Sequence, residues 1–376
     1  MKRVYLDNAA TTPIHPEVID MITNMMGSNY ANPSSIHSFG RESKIIVENS
    51  RKKIAELINT SPGSIFFTSG GTEADNMAIK CAIEDHNIKH AITSKISHHA
   101  VLYPLEDLAA EGKIRLSYVD IDKNGVISLP HLEDLLSSNP KTFVSIMHAN
   151  NEVGTIQDLK KIGEICLQND AIFHSDTVQT VAHYPLDMKN LNVDFIAASA
   201  HKFHGPKGVG FIYISDKIKI RPLIRGGGQE RNMRAGTENI YGIAGMALAM
   251  DIAYKNLEND VKHIKGIKKY MIDQLRKEIP DSKFYANCDN LDNSLYTVLS
   301  VNFPKIKGAE MLLFNLDIMG IACSGGSACS SGSVKGSHVL SSISSESIGP
   351  GVRFSFSKYN TRDDIDYTIA KLKTLY

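Results

Sequence analysis

The chain has 376 residues, 42% of them hydrophobic and 22% charged, which is enough apolar material for a large domain and a smaller one. Lysine plus arginine number 41 and aspartate plus glutamate also 41, so no overall field draws nucleic acid or an anionic membrane. The opening "MKRVYLDNAATTP" has two basic residues but no apolar run behind them, which argues against a secretory leader. The most apolar segment, "GIAGMALAM", stops at Asp251, short of the ~20 residues a membrane helix needs.

In chain order, "SKIIVENSRKKIAELI" sets Ile46, Val47, Ile54, Leu57 and Ile58 near helical spacing until "SPGS" breaks it. "IFFTSGG" is a short β-prone run ending in glycines, and "TEADNMAIKCAIE" continues as a helix. "TFVSIMHANN", "AIFHSD", "VDFIAASA" and "GVGFIYI" are apolar runs bounded by polar or glycine turns, with helix-like "DLKKIGEICLQN" among them. Buried strands alternating with helices predict an α/β domain with a mainly parallel sheet, over residues 15–255.

The texture then changes. Charged "NDVKHIKGIKKYMIDQLRKEI" precedes "LYTVLSVNF", a Ser/Gly-rich loop at about 323–347, "GVRFSFS" and a final amphipathic helix capped at Thr361. This predicts a smaller α+β domain from residues 256–376 together with 1–14. The five cysteines (Cys81, Cys166, Cys288, Cys323 and Cys329) are scattered, odd in number and without a CxxC pair. They suit free thiols in a reducing, cytoplasmic compartment rather than a disulfide framework or a zinc site.

Ligands of open α/β sheets gather beyond the carboxyl ends of the strands. There the sequence places Gly71 and Thr72, Asn150 and Asn151, Asp176, and His201 with Lys202. Gly70 and Gly71 before a helix could seat a phosphate, although alone they read as a plain strand–helix turn. Lys202 at the end of an apolar run could form a Schiff base, its amine pKa lowered by desolvation, or be an ordinary turn lysine. Asp176 could hold a pyridinium proton or cap a helix. Cys329 lies in "CSGGSACSSGS", where nothing bulky would bury it, as suits a thiol that must travel.

Eight segments in order carry a resemblance: "YLDNAATTP", "NPSSIHSFGR", "FTSGGTEADN", "HANNEVGTIQD", "SAHKFHGPKGVG", "GGGQERNMRAGTENI", "SGGSACSSGS" and "VRFSFS". The chain resembles cysteine desulfurases of the NifS/IscS type, in the class V aminotransferase group of pyridoxal-phosphate enzymes. The resemblance implies a homodimer with the fold of type I aminotransferases. It implies that Lys202 carries the cofactor, that Gly71, Thr72, Ser199 and His201 hold its phosphate, and that Thr237 reaches that phosphate from the other subunit. Asp176 would pair with the ring nitrogen, Gln179 and Asn151 would contact the ring side, and His98 would stack over the ring and join the catalysis. Arg353 would grip the substrate carboxylate, with Asn32 near the same group. Cys329 would take sulfur from L-cysteine as a persulfide, leaving L-alanine, and deliver it to an iron–sulfur scaffold or a sulfur-carrier protein.

Other outcomes stay open. His98 and His99 are adjacent, and only the resemblance selects His98. Arg353 alternates with Val352 and Phe354, so strand geometry alone favours a surface ion pair. Arg231 and Arg234 could bind an anion or form salt bridges. His204 invites a metal, but no carboxylate or cysteine stands at ligand spacing, and no resident metal is expected; at most Cys329 would meet an iron–sulfur cluster in passing. Thr177 stands where the family usually has a smaller residue, and Cys323 is an extra thiol, incidental or a persulfide relay. An aminotransferase or selenocysteine lyase would use the same cofactor seat, and a non-enzymatic metal scaffold would use Cys323 and Cys329 alone.

Overall fold

The structure, a computed structural model, describes residues 2–139, 141–325, 337–343 and 351–376. It opens with β1 (Val4–Tyr5), α1 (Pro16–Ser28) and α2 (Ser38–Leu57). An alternation follows: β2 (Ile65–Thr68), α3 (Gly71–Asp85), β3 (His90–Ser94), α4 (His99–Ala110) and β4 (Arg115–Val119). It continues through α5 (Leu129–Ser137), β5 (Thr142–Ser145), α6 (Leu159–Gln168) and β6 (Ile172–Asp176). Then come β7 (Phe195–Ser199), β8 (Gly210–Ile214), α7 (Ile240–Lys255) and α8 (Leu257–Glu278). The last third holds β9 (Lys283–Phe284), β10 (Val298–Asn302), α9 (Leu312–Ile318), β11 (Ile321–Ala322), α10 (His338–Ile343), β12 (Gly351–Ser355) and α11 (Arg362–Lys373).

Seven strands form one sheet in the order β2-β8-β7-β6-β5-β3-β4. Only β8 runs against its neighbours; every other pairing is parallel. Alternate residues feed two cores. Val144, Phe173 and Ile196 pack with Ile54, Met246 and Met250 on one face. Phe143, Phe195 and Ala197 pack against Ala74, Met77 and Ala78 of α3 on the other. Because both faces are covered, the central strands carry few exposed positions, which is why they read as apolar runs. The "GIAGMALAM" run lies in α7, buried on nearly every side and packed on α1 and α2. No helix among the described residues is long and apolar enough to cross a membrane.

A further core gathers Val4 and Leu6 with Met271, Leu275, Leu299, Val301, Phe354, Ile365 and Leu372. β10 pairs antiparallel with β12 and β9, while β1 pairs in parallel with β11. The final helix starts at Thr361 as its sequence predicts, with a reciprocal cap between Thr361 and Asp364, an arrangement that contributes about 1 kcal/mol.

Candidate active site

The carboxyl ends of β2, β5, β6 and β7 open onto a cavity of about 260 Å³. Their close approach depends on Gly210, where a Cβ would overlap Ala198 O and the Cα of Gly70. Ser199 and Asp176 reach the cavity from the ends of β7 and β6, and Asn151 and Gln179 from the loops after β5 and β6. His201 and Lys202 follow β7 on a single short turn. The Lys202 Nζ donates to Ala9 O at 2.6 Å and Ala10 O at 3.0 Å, so the N-terminal segment forms the wall beside it.

Gly71 and Thr72 begin α3, whose N-terminus has no side-chain cap. First-turn N–H groups lack partners within their own helix, and without a cap they can meet an anion. Ser199 and His201 stand in the same cavity, and burial lowers the His201 pKa to about 4. His98 caps α4: its Nδ1 accepts from Ala100 N at 3.1 Å, so the neutral ring carries its proton on Nε2. Burial lowers its pKa, and the Lys202 and His338 charges add to that against the pull of Asp176. Asp176 accepts from Val178 N at 2.9 Å.

Arg353 is only 2% exposed and its carboxylate partner is partly buried, so the ion pair it makes is not an open surface one. Its Nη2 donates to Asp7 Oδ1 and its Nη1 to Asn151 O, both at 2.9 Å. Its buried Nε has no partner among the described residues.

Asn32 and Thr237 do not line this cavity. Asn32 is exposed; its carbonyl and side chain accept from Ser35 N and Ser34 N in the turn between α1 and α2. Thr237 is exposed on a separate depression beside Ser69 and Arg234. Cys329 lies outside the described residues, as does most of the stretch at 323–347. Arg234 pairs with Glu73 at 2.9 Å, and Arg231 donates to the carbonyls of Pro62 and Ile65 over the Phe66 ring. The His204 Nδ1 bonds Pro13 O at 2.8 Å, and no cluster of three metal ligands occurs among the described residues. Thr177 does not line the cavity; its hydroxyl donates to Ala197 O at 2.8 Å.

The cavity also holds His99, the alternative to His98, and three groups that motif reading passed over: Asp75, Glu152 and His338. Asp75 lies one turn after Thr72 on α3, a spacing that puts both on one helix face. Glu152 directly follows Asn151, and its carboxylate accepts from Ser337 Oγ at 2.5 Å. The His338 ring packs 4.5 Å from that of His99, and its Nε2 lies 3.0 Å from Ser97 O. No local signal pointed to His338.

A family model described as aminotransferase class-V matches residues 4–368. The chain belongs to this family. A protein named cysteine desulfurase IscS from Dictyoglomus turgidum is 42% identical over 381 residues, spanning 100% of this chain and 95% of the relative. One of the same name from Clostridium botulinum is 40% identical over 375 residues, spanning 99% and 94%. A solved structure titled NifS-like protein superposes with a TM-score of 0.91 at 37% identity, covering 99% of each chain. Another, titled SspA in complex with cysteine, gives 0.79 at 29%, covering 95% of this chain and 100% of that one.

Class V enzymes of this kind use pyridoxal phosphate, and the cavity suits it. An uncapped helix start beside two hydroxyl residues matches a phosphate, a buried carboxylate matches a ring nitrogen, and a lysine amine stands in the same space.

Proposed function

We propose that this enzyme is a cysteine desulfurase, which turns L-cysteine into L-alanine and takes the sulfur onto Cys329 as a persulfide. One observation carries the reading: Lys202, Asp176, His98 and Arg353 line a single cavity, in a chain similar throughout to proteins named cysteine desulfurase. The enzyme depends on pyridoxal 5′-phosphate, which when bound supplies an electron sink for bond breaking at the substrate's α and β carbons. Lys202 would carry it, Gly71, Thr72, Ser199 and His201 would seat its phosphate, and Asp176 would keep its ring nitrogen protonated. Gln179 and Asn151 would flank the ring, with His98 over its face.

The side chains divide the remaining work. Arg353 offers the substrate carboxylate the N–H groups that Asp7 and Asn151 leave open, and a planar fork fixes its orientation. The Lys202 amine moves the α proton. His98 is uncharged at neutral pH and presents Nε2, so it can exchange protons with the substrate. The thiolate of Cys329, the reactive form of a group with pKa near ~8.5, attacks the substrate sulfur. An S–S bond forms as the Cβ–Sγ bond breaks, and the electron pair left on Cβ is protonated to give alanine. Cysteine plus enzyme thiol thus yields alanine plus enzyme persulfide, with no added oxidant.

The persulfide would pass to an iron–sulfur scaffold or a sulfur-carrier protein in the cytoplasm. A homodimer accounts for Thr237 lying outside its own chain's cavity, since a second copy could bring it to the phosphate. The exposed Tyr30, Ile36 and Phe39, at 71%, 92% and 54%, offer apolar surface for such a contact. The test is incubation with L-cysteine, measuring alanine and sulfide. Borohydride should lock the cofactor on Lys202, and Cys329→Ala should stop alanine formation while keeping the bound cofactor's visible band. Equal alanine from both proteins would overturn the reading.

A further inference from the structure

Asp176 has a second carboxyl for a neighbour. On β6, His174 and Asp176 are two residues apart and face the same side of the sheet, toward α3. From α3, Asp75 enters the cavity wall, 1% exposed. The His174 Nε2 lies 3.2 Å from Asp75 Oδ1, close but not aligned as a hydrogen bond, and neither buried atom has a hydrogen-bond partner among the described residues. On the far side of the ring, Nδ1 stands 2.8 Å from Ser145 Oγ, and Phe143 stacks on it with centroids 6.1 Å apart. Ser145, His174 and Asp75 thus form a buried file that ends beside Asp176.

Two carboxylates sharing a buried site cannot both ionise cheaply. Burial first, then the charge of Asp176, push Asp75 well above the ordinary carboxyl range. Burial drives the His174 pKa down to about 3, so the imidazole is neutral and cannot offer Asp75 a full positive charge. A neutral carboxyl both donates and accepts a hydrogen bond, and a neutral imidazole can meet either need through Nε2 while Ser145 answers at Nδ1.

We propose that Asp75, packed against His174, is a positioning residue for Asp176, so that Asp176 faces the cofactor's ring nitrogen as the single negative charge. The inference rests on the pairing of Asp176 with that nitrogen given under the proposed function. One carboxylate matches one ring proton. A second would over-stabilise that proton, and an apolar residue in its place would strip Asp176 and His174 of a polar neighbour in a dry site.

The test compares holoenzymes carrying Asp75→Asn and Asp75→Val by the pH midpoint of the cofactor's visible band, its dissociation constant and the melting temperature. The midpoint answers to His98, His174, Asp176 and Lys202 as well, so the difference from wild type is what isolates Asp75. Asn, neutral and able to donate and accept, should keep the midpoint to well within about one pH unit. Val should move it and weaken cofactor binding by roughly tenfold. A midpoint lowered by about one unit or more in Asp75→Asn would show that the residue carries charge and overturn the proposal. So would Asp75→Val matching wild type in both midpoint and affinity. Should Asp75→Val not fold, His174→Phe removes the partner while keeping a ring against Phe143, and an unchanged midpoint there overturns the proposal equally. Failure of borohydride to lock the cofactor on Lys202 in the wild type would instead defeat the reading beneath it.

Discussion

Nη2 of Arg353 sits 2.9 Å from Oδ1 of Asp7, so the guanidinium that faces the cavity is aimed by a carboxylate 346 residues away in sequence. The same Asp7 oxygen accepts from Ser324 Oγ at 2.8 Å, and Ser324 exchanges backbone hydrogen bonds with Arg353. Asp7→Asn keeps the shape and removes the charge. A charge-assisted hydrogen bond is worth about 1.5–3 kcal/mol, so KM for cysteine should rise roughly tenfold or more while kcat changes less. Steady-state alanine release measures both. A fall in kcat with KM unchanged would mean that Asp7 does not act through Arg353.

Glu230 and Arg51 form a buried bidentate pair at 2.8 and 2.9 Å, and Glu230 also accepts from Phe67 N. The pair braces a turn in which Glu230, Arg231 and Asn232 take φ of 45°, 56° and 68°, left-handed values unusual for three successive non-glycine residues. Glu230→Ala leaves a guanidinium buried without its main partner and should cost about 3–5 kcal/mol. Urea denaturation would read it, and a loss under about 1 kcal/mol would show that the turn holds itself.

Acid should unfold the protein early through its buried histidines. Burial lowers the pKa of His90 to about 4 and those of His174 and His204 to about 3. Each titrates near 6.5 once unfolded, so below that value the unfolded chain binds more protons and stability falls as pH falls, down to the folded values. Each such histidine contributes up to about 1.4 kcal/mol per pH unit in that window. Urea denaturation at pH 7.5 and pH 5 should show a clear loss at the lower pH. Equal midpoints would contradict the neutral, buried state of these rings.

The thiols divide by environment. Burial pushes Cys81 and Cys288 up to about 11, and Cys166 and Cys323 higher still. Iodoacetamide at neutral pH should therefore label Cys329 at least about tenfold faster than the other four, as peptide mass spectrometry would show. Cys323→Ser should leave alanine production unchanged. Loss of turnover in that variant would make Cys323 a relay instead.

Much of the site was legible because it hangs on the ends of buried strands. An apolar run that stops at Asp176, or at Ser199 before Lys202, marks a sheet edge without any knowledge of tertiary structure. Arg353 was legible only through the motif around it; its alternation with Val352 and Phe354 suggested the surface, because its partner Asp7 belongs to the other end of the chain. Asp75 looked like any polar position on a helix, since only the packing of α3 on β6 brings it to His174. β3 and β4 escaped notice for another reason. "HAITS" begins with a buried histidine whose ring meets Thr142 and Ser117, and "RLSYV" is an edge strand left partly open to water.

The parallel pairing of β1 with β11 has a consequence during synthesis. Val4 meets Ile321 and Tyr5 meets Ala322, so this strand is made long before the partner it pairs with. The seven-stranded sheet can form while translation continues, but Asp7 has no Arg353 to pair with until residue 353 has emerged. A nascent chain therefore cannot grip the substrate carboxylate as the finished one does, and that capacity arrives in one late closing step.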